Sequence, residues 1–122
     1  MKSILFVVLS IVSPLALGDD WVLVASDALN STFLDAASVS RSAANETRFR
    51  IKLVYTKRRD MMGLPYDSAT KDYVVACDSN RVLSRQHFLV DGDQTVWTFP
   101  PTNENVKADV ELPGEVLLRV CG

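Results

Sequence analysis

A chain of 122 residues has room for one domain with one core and little beyond it. Its formal net charge is −2, from 13 basic and 15 acidic residues, so it holds no surplus of cations to displace phosphate counterions and no nucleic-acid partner is expected. One histidine and five scattered glycines argue against a histidine-built metal centre and against a phosphate-cradling loop, and no cofactor motif is present.

Residues 1–18 read as a secretory signal peptide. Lys2 gives the positive start, Ile4 to Leu9 with Ile11 and Val12 the apolar run, and Pro14 breaks it. Ala16 and Gly18 are the small residues at −3 and −1 of the cleavage point. The run is short for a bilayer span and does not recur, so no transmembrane segment is expected in the mature protein. No cysteine lies near the cleavage point, so the product is expected to be exported, periplasmic or secreted, and not lipid-anchored. Residues 19–122 then form one domain with 12 basic and 15 acidic residues, a net charge of about −3.

Along that domain strand signals alternate with turns. Trp21–Ala25 is a β-rich opening, Thr32–Asp35 a second short piece, and Ala36–Val39 a single helical turn capped by Asp35. From Arg48 to Tyr55 alternation places Phe49, Ile51, Leu53 and Tyr55 on one face, with Arg48, Arg50 and Lys52 on the other, as in a half-buried antiparallel strand. Residues 57–70 show no period and carry Gly63 and Pro65, which predicts a long loop. Lys71–Cys77 returns as a strand with Tyr73, Val75 and Cys77 on one face. Asp78-Ser79-Asn80 turns the chain into a strand from Arg81 to Val90, and Asp91-Gly92-Asp93 turns it again into Gln94–Phe99. A helix is expected from Pro113, presenting Leu117, Val120 and Cys121 to the sheet. The fold class is therefore α+β, an antiparallel sheet covered on one face.

Cys77 and Cys121 are the only cysteines, and in an exported chain an even pair reads as a disulfide. It would close a loop of over forty residues, worth roughly 4 kcal/mol in the chain-entropy account. A redox motif or a metal site would need C-x-x-C spacing or histidine partners, and neither occurs. Strict alternation puts His87 with Leu83 and Arg85, opposite Val82, Ser84, Gln86 and Phe88, on a polar strand face. No Gly-x-Ser-x-Gly elbow exists, and Asp91-Gly92-Asp93 does not continue as a calcium ladder, so no catalytic residue and no metal ligand is assigned. The remaining candidate is a basic and apolar ligand-binding loop made of Lys57, Arg58, Arg59, Met61 and Met62, suited to an acidic ligand or an acidic protein face.

Trp21, Phe33-Leu34-Asp35 with Ser38-Val39 and Arg41, the basic alternating strand, Tyr66-x-Ser68, Tyr73-Val74-Val75-Ala76-Cys77, Arg81, Trp97 and the closing Val120-Cys121 together resemble the bacterial surface-adhesin protein E family. The resemblance spans the mature chain. It implies a curved antiparallel β-sheet of about six strands with a C-terminal α-helix packed on it, pinned by the two cysteines, and a surface protein that binds host matrix proteins and can form a homodimer. Two positions depart from the family: Gly18-Asp19 stands where its adhesins carry a lipid-anchoring cysteine, and Phe49 stands where a tryptophan is frequent. Function is then expected to be that of a non-enzymatic binding module. The alternatives are a periplasmic inhibitor of a cell-wall hydrolase such as lysozyme and, last, a small enzyme using His87.

Overall fold

A computed structural model describes residues 20–43, 45–102 and 104–122; the signal peptide read over 1–18 and its cleavage point lie outside them. The strands are β1 (Trp21–Ser26), β2 (Asn30–Asp35), β3 (Ser40–Ala43), β4 (Glu46–Met61), β5 (Leu64–Ala76), β6 (Arg81–Asp91), β7 (Gln94–Phe99) and β8 (Asn105–Lys107). Two helices follow, α1 (Ala108–Glu111) and α2 (Gly114–Cys121). All pairs are antiparallel and make one open sheet in the order β1–β2–β4–β5–β6–β7. β3 lies beside the start of β4, and β8 beside the start of β6. The sheet thus has eight strands where about six were expected. The two additions are Ser-Arg-Ser-Ala and Asn-Val-Lys, too short or too polar to show a period.

The long loop expected over 57–70 is not there. β4 continues to Met61, β5 begins at Leu64, and Met62-Gly63 alone connects them. Both have positive φ, 51° and 87°, the left-handed pair that a tight two-residue hairpin requires. Asp60 accepts the Gly63 N–H at 3.0 Å. The period fails here because the ladder shifts between Val54↔Ser68 and Arg59↔Tyr66, so residues 55–58 all bulge opposite Asp67. The single helical turn is present as a 3-10 turn at Ala36–Ser38, with an Asp35 carboxylate oxygen accepting from Ala37 N–H at 3.2 Å.

One face of the sheet carries the core. Leu34, Phe49, Ile51, Tyr73, Val75 and Val82 pack against Ala108, Leu112, Val116 and Val120 of the helical segment. Val116 joins Val120 as a buried side chain of α2, while Leu117 and Cys121 are partly buried beside them. α1 starts where Asn80, in the left-handed region at φ 56°, gives its carbonyl to Ala108 N–H and its side-chain oxygen to Asp109 N–H. The Cys77–Cys121 disulfide, with Cα atoms 5.6 Å apart, ties the end of β5 to the last turn of α2.

Candidate functional site

The alternation of β4 sends Phe49 and Ile51 into the core and leaves Arg48, Arg50 and Lys52 on the sheet face opposite the helices. Each is held differently. Lys52 is paired with Phe33 across the β2–β4 ladder, and its ammonium lies 5.7 Å from the Trp21 ring centroid, a cation–π distance. Arg50 makes a two-pronged contact with Asp72 of β5, Nε to Oδ1 at 2.7 Å and Nη2 to Oδ2 at 3.2 Å. The Arg50 N–H falls between the end of the β2 ladder at Ile51 and the start of the β3 ladder at Arg48. Ser38 Oγ accepts it at 2.8 Å while donating to the Asp35 carbonyl at 2.7 Å. The 3-10 turn therefore fixes the backbone under Arg50.

A fourth cation, Arg85, reaches the same face from β6, where alternation from the buried Val82 places it, and an irregularity follows at once. Tyr73 pairs with Ser84 and Asp72 with Gln86, which leaves Arg85 as an extra residue opposite no partner. Arg85 and, through the bulge, Gln86 join Arg48 and Arg50 around a groove of about 480 Å³ whose other polar lining includes Asp72 and Ser40. No hydrogen bond or ion pair to a described residue engages the guanidinium of Arg48 or of Arg85.

The same bulge corrects the expected placement of His87. Beyond Arg85 the phase of β6 is reset, so His87 pairs with Lys71 on the face of Ser84, Val82 and Leu89, under the helical side. It stacks on Phe99 with ring centroids 4.6 Å apart, and its Nε2 is buried without a hydrogen-bond partner. Burial first, and the Lys71 ammonium second, push the imidazole down to about 4, against an opposing pull from Glu111. Burial likewise lowers Lys71, with Glu111 pulling the other way. Tyr73 donates its hydroxyl proton to Glu111 Oε2 at 2.8 Å, and burial together with that carboxylate holds the phenol well above the ordinary tyrosine range. Chemically, this cluster holds a half-buried imidazole below its ordinary pKa and gives Glu111 a fixed hydroxyl donor.

The expected loop residues are brought together on the outer arm of the β4–β5 hairpin, which past Thr56 and Asp67 has only its own two strands as ladder partners. Arg58 is committed to Asp91 at 2.7 Å, and the Arg59 guanidinium lies over the Tyr55 ring at 4.3 Å. Lys57 is exposed and lines, with Leu29, a depression of about 380 Å³. Met61 is half-buried, whereas Met62 is 83% exposed at the tip. Of the five residues, Lys57 and Met62 are the ones presented outward without such engagement.

Among the described residues no three His, Cys, Asp or Glu side chains gather closely enough to hold a metal ion. Comparison with protein-family models, with curated proteins and with solved structures finds no match. Of the arginine groove, alternation already reveals Arg48 and Arg50 as neighbours on one face. Alternation from Val82 places Arg85 on that face too, whereas the bulge that brings Gln86 beside it leaves no mark in the residue pattern.

Proposed function

We propose that the protein is an exported, non-enzymatic binding module whose working surface is the sheet face opposite the helices. The observation that carries this reading is the gathering of Arg48, Arg50, Lys52 and Arg85 on one face of a chain whose net charge is negative. Segregated charge of this kind attracts an acidic partner and speeds its encounter. Export is supported by the Cys77–Cys121 bond, since disulfides persist in oxidising compartments, and by the leader read over 1–18. No helix among the described residues is long and apolar enough to cross a membrane. A non-enzymatic role fits the burial of His87 Nε2 away from the arginine groove. The reading agrees with the resemblance to surface-adhesin protein E, whose aromatic and cysteine landmarks the chain carries.

The test has two parts. Fractionation of the native cell should find the protein outside the cytoplasm with its cysteines oxidised. Purified protein on a sensor surface should then bind at least one acidic matrix glycoprotein, and Arg48→Glu with Arg85→Glu should abolish the response. A cytoplasmic protein with reduced thiols would overturn export, and binding indifferent to both charge reversals would overturn the assigned surface.

One observation favours a second reading, inhibition of a cell-wall hydrolase. The hairpin arm carries an 83% exposed methionine at its tip beyond the rest of the sheet, a shape that can enter a cleft. On this reading the protein stops lysozyme at stoichiometric amounts and Met62→Asp relieves the block; turnover unaffected at tenfold excess excludes it.

A further inference from the structure

We infer that the arginine groove is a binding site for a small polar ligand carrying one compact oxyanion, a carboxylate, sulfate or phosphate, seated between Arg48 and Arg85. The inference rests on the reading of this face as the working surface and names the chemistry that it receives. Three guanidiniums and one carboxylate line the groove. Because Arg50 and Asp72 satisfy each other through two contacts, the groove keeps the charge of the other two arginines uncompensated. A guanidinium presents its N–H groups in a planar fork that matches two oxygens of an oxyanion, so two forks facing one groove specify such a group rather than a diffuse negative surface.

The rest of the groove sets the size and polarity of the ligand. About 480 Å³ lies in the range of small-molecule sites, and Ser40 and Pro101 are among the residues that line it. Ser40 and Gln86 add neutral hydrogen-bonding groups, which suit the hydroxyls of a sugar-sized body better than an apolar one. The site is also built, since Asp72 and Ser38 hold the side chain and the backbone of Arg50, which lines it. The bulge sets Gln86 beside Arg85 on the groove face, and bulges commonly re-aim a side chain beside a site.

The experiment is a backbone-amide NMR titration of the purified, disulfide-bonded protein with sulfate, phosphate and glucuronate in turn, at ionic strength held constant with sodium chloride. The expected result is saturable shifts at Ser40, Arg48, Arg85 and Gln86. Arg48→Gln and Arg85→Gln should each weaken binding at least fivefold and together abolish it, while Lys57→Gln changes nothing. Glucuronate binding more tightly than either inorganic ion assigns the anion to a sugar body; equal binding of all three assigns the oxyanion alone. Shifts no larger than chloride produces, shifts centred on residues 57–59, or a response seen only with a long polyanion would each overturn the inference. If all three anions fail while Arg48→Glu and Arg85→Glu still abolish capture of a glycoprotein, the binding face stands and the small-ligand site falls. If the anions bind and no glycoprotein does, the groove stands without the adhesive role.

Discussion

Arg85 and His87 stand two residues apart on β6 and face opposite sides of the sheet, Arg85 into the arginine groove and His87 toward Lys71 beneath the helices. In a regular strand they would share a face. The extra residue between Ser84 and Gln86 is what separates them: Arg85 keeps the open face that alternation from Val82 gives it, while the bulge turns Gln86 to that face and His87 to the covered one. Deleting Arg85 would leave Ser84 opposite Tyr73 and Gln86 opposite Asp72 in an uninterrupted ladder. The deletion is therefore expected to cost less than about 1 kcal/mol in urea unfolding while removing one side of the groove. A loss of several kcal/mol would mean that the bulge is required by packing instead.

His87 links stability to pH in a defined window. Its folded-state value of about 4 lies below the ordinary value of 6.5, so the folded protein binds fewer protons than the unfolded chain between them. The stabilisation is present above pH 6.5 and is lost as the pH falls toward 4. The groups facing the ring are the Lys71 ammonium, which opposes protonation, and Glu111, which favours it. Because the ring is half-buried, solvent screening trims the effect to about 1–2 kcal/mol. Urea midpoints at pH 7 and pH 4.5 should show that difference, and His87→Phe should remove it. As the chain has one histidine, its imidazole NMR signal reports the titration directly, and a midpoint near 6.5 would reject the buried placement.

Tyr73 adds an alkaline counterpart. Its folded-state value is raised by burial and by Glu111, so its contribution is complete below pH 10 and is lost as the pH rises beyond that value. Tyr73→Phe removes the 2.8 Å bond to Glu111 and should cost about 1–2 kcal/mol at pH 7. The variant should also lose less stability than the parent between pH 9 and pH 11. Parallel losses in the two proteins would show that Tyr73 titrates alike in the folded and the unfolded chain.

These particulars show where the residue pattern sufficed. Phe49 and Ile51 are 2% exposed, as strict alternation predicts, and Tyr73 and Val75 are buried in turn; the disulfide pairing followed from a count of two. Alternation reads a face only while the ladder stays in register. At 55–58 the bulge erases the period, so the residue pattern of a loop covers a hairpin. At Arg85 one extra residue inverted the placement of everything after it, His87 included. The groove inherits both conditions, with Arg48 and Arg50 legible from β4 and Arg85 from alternation in β6, and Gln86 hidden until β6 is paired with β5.

The disulfide should dominate the stability of the helical segment. α2 has eight residues, short for a helix that must hold without tertiary contacts, and its buried contacts are chiefly Val116 and Val120. Cys77 and Cys121 are separated by 44 positions, for which the chain-entropy account gives about 4 kcal/mol. Replacing both by alanine should lower stability by roughly that amount and expose the α2 amides to rapid hydrogen exchange, while those of β4 and β5 stay protected relative to α2. A loss below about 1 kcal/mol would place the anchoring of α2 in Val116 and Val120 alone.

Met62 occupies a position that its own side chain disfavours. With φ at 51° it sits in the left-handed region, where a Cβ crowds the backbone and where asparagine or glycine is the usual choice in a two-residue turn. Its side chain is 83% exposed, so no packing inside the domain offsets that cost. Met62→Asn should therefore stabilise the protein by about 0.5–1 kcal/mol, read as a higher urea midpoint with unchanged slope. If the same substitution also weakens capture of a partner or inhibition of lysozyme, the strained methionine is a contact residue of the hairpin arm. If stability rises and binding is untouched, recognition lies on the arginine face alone.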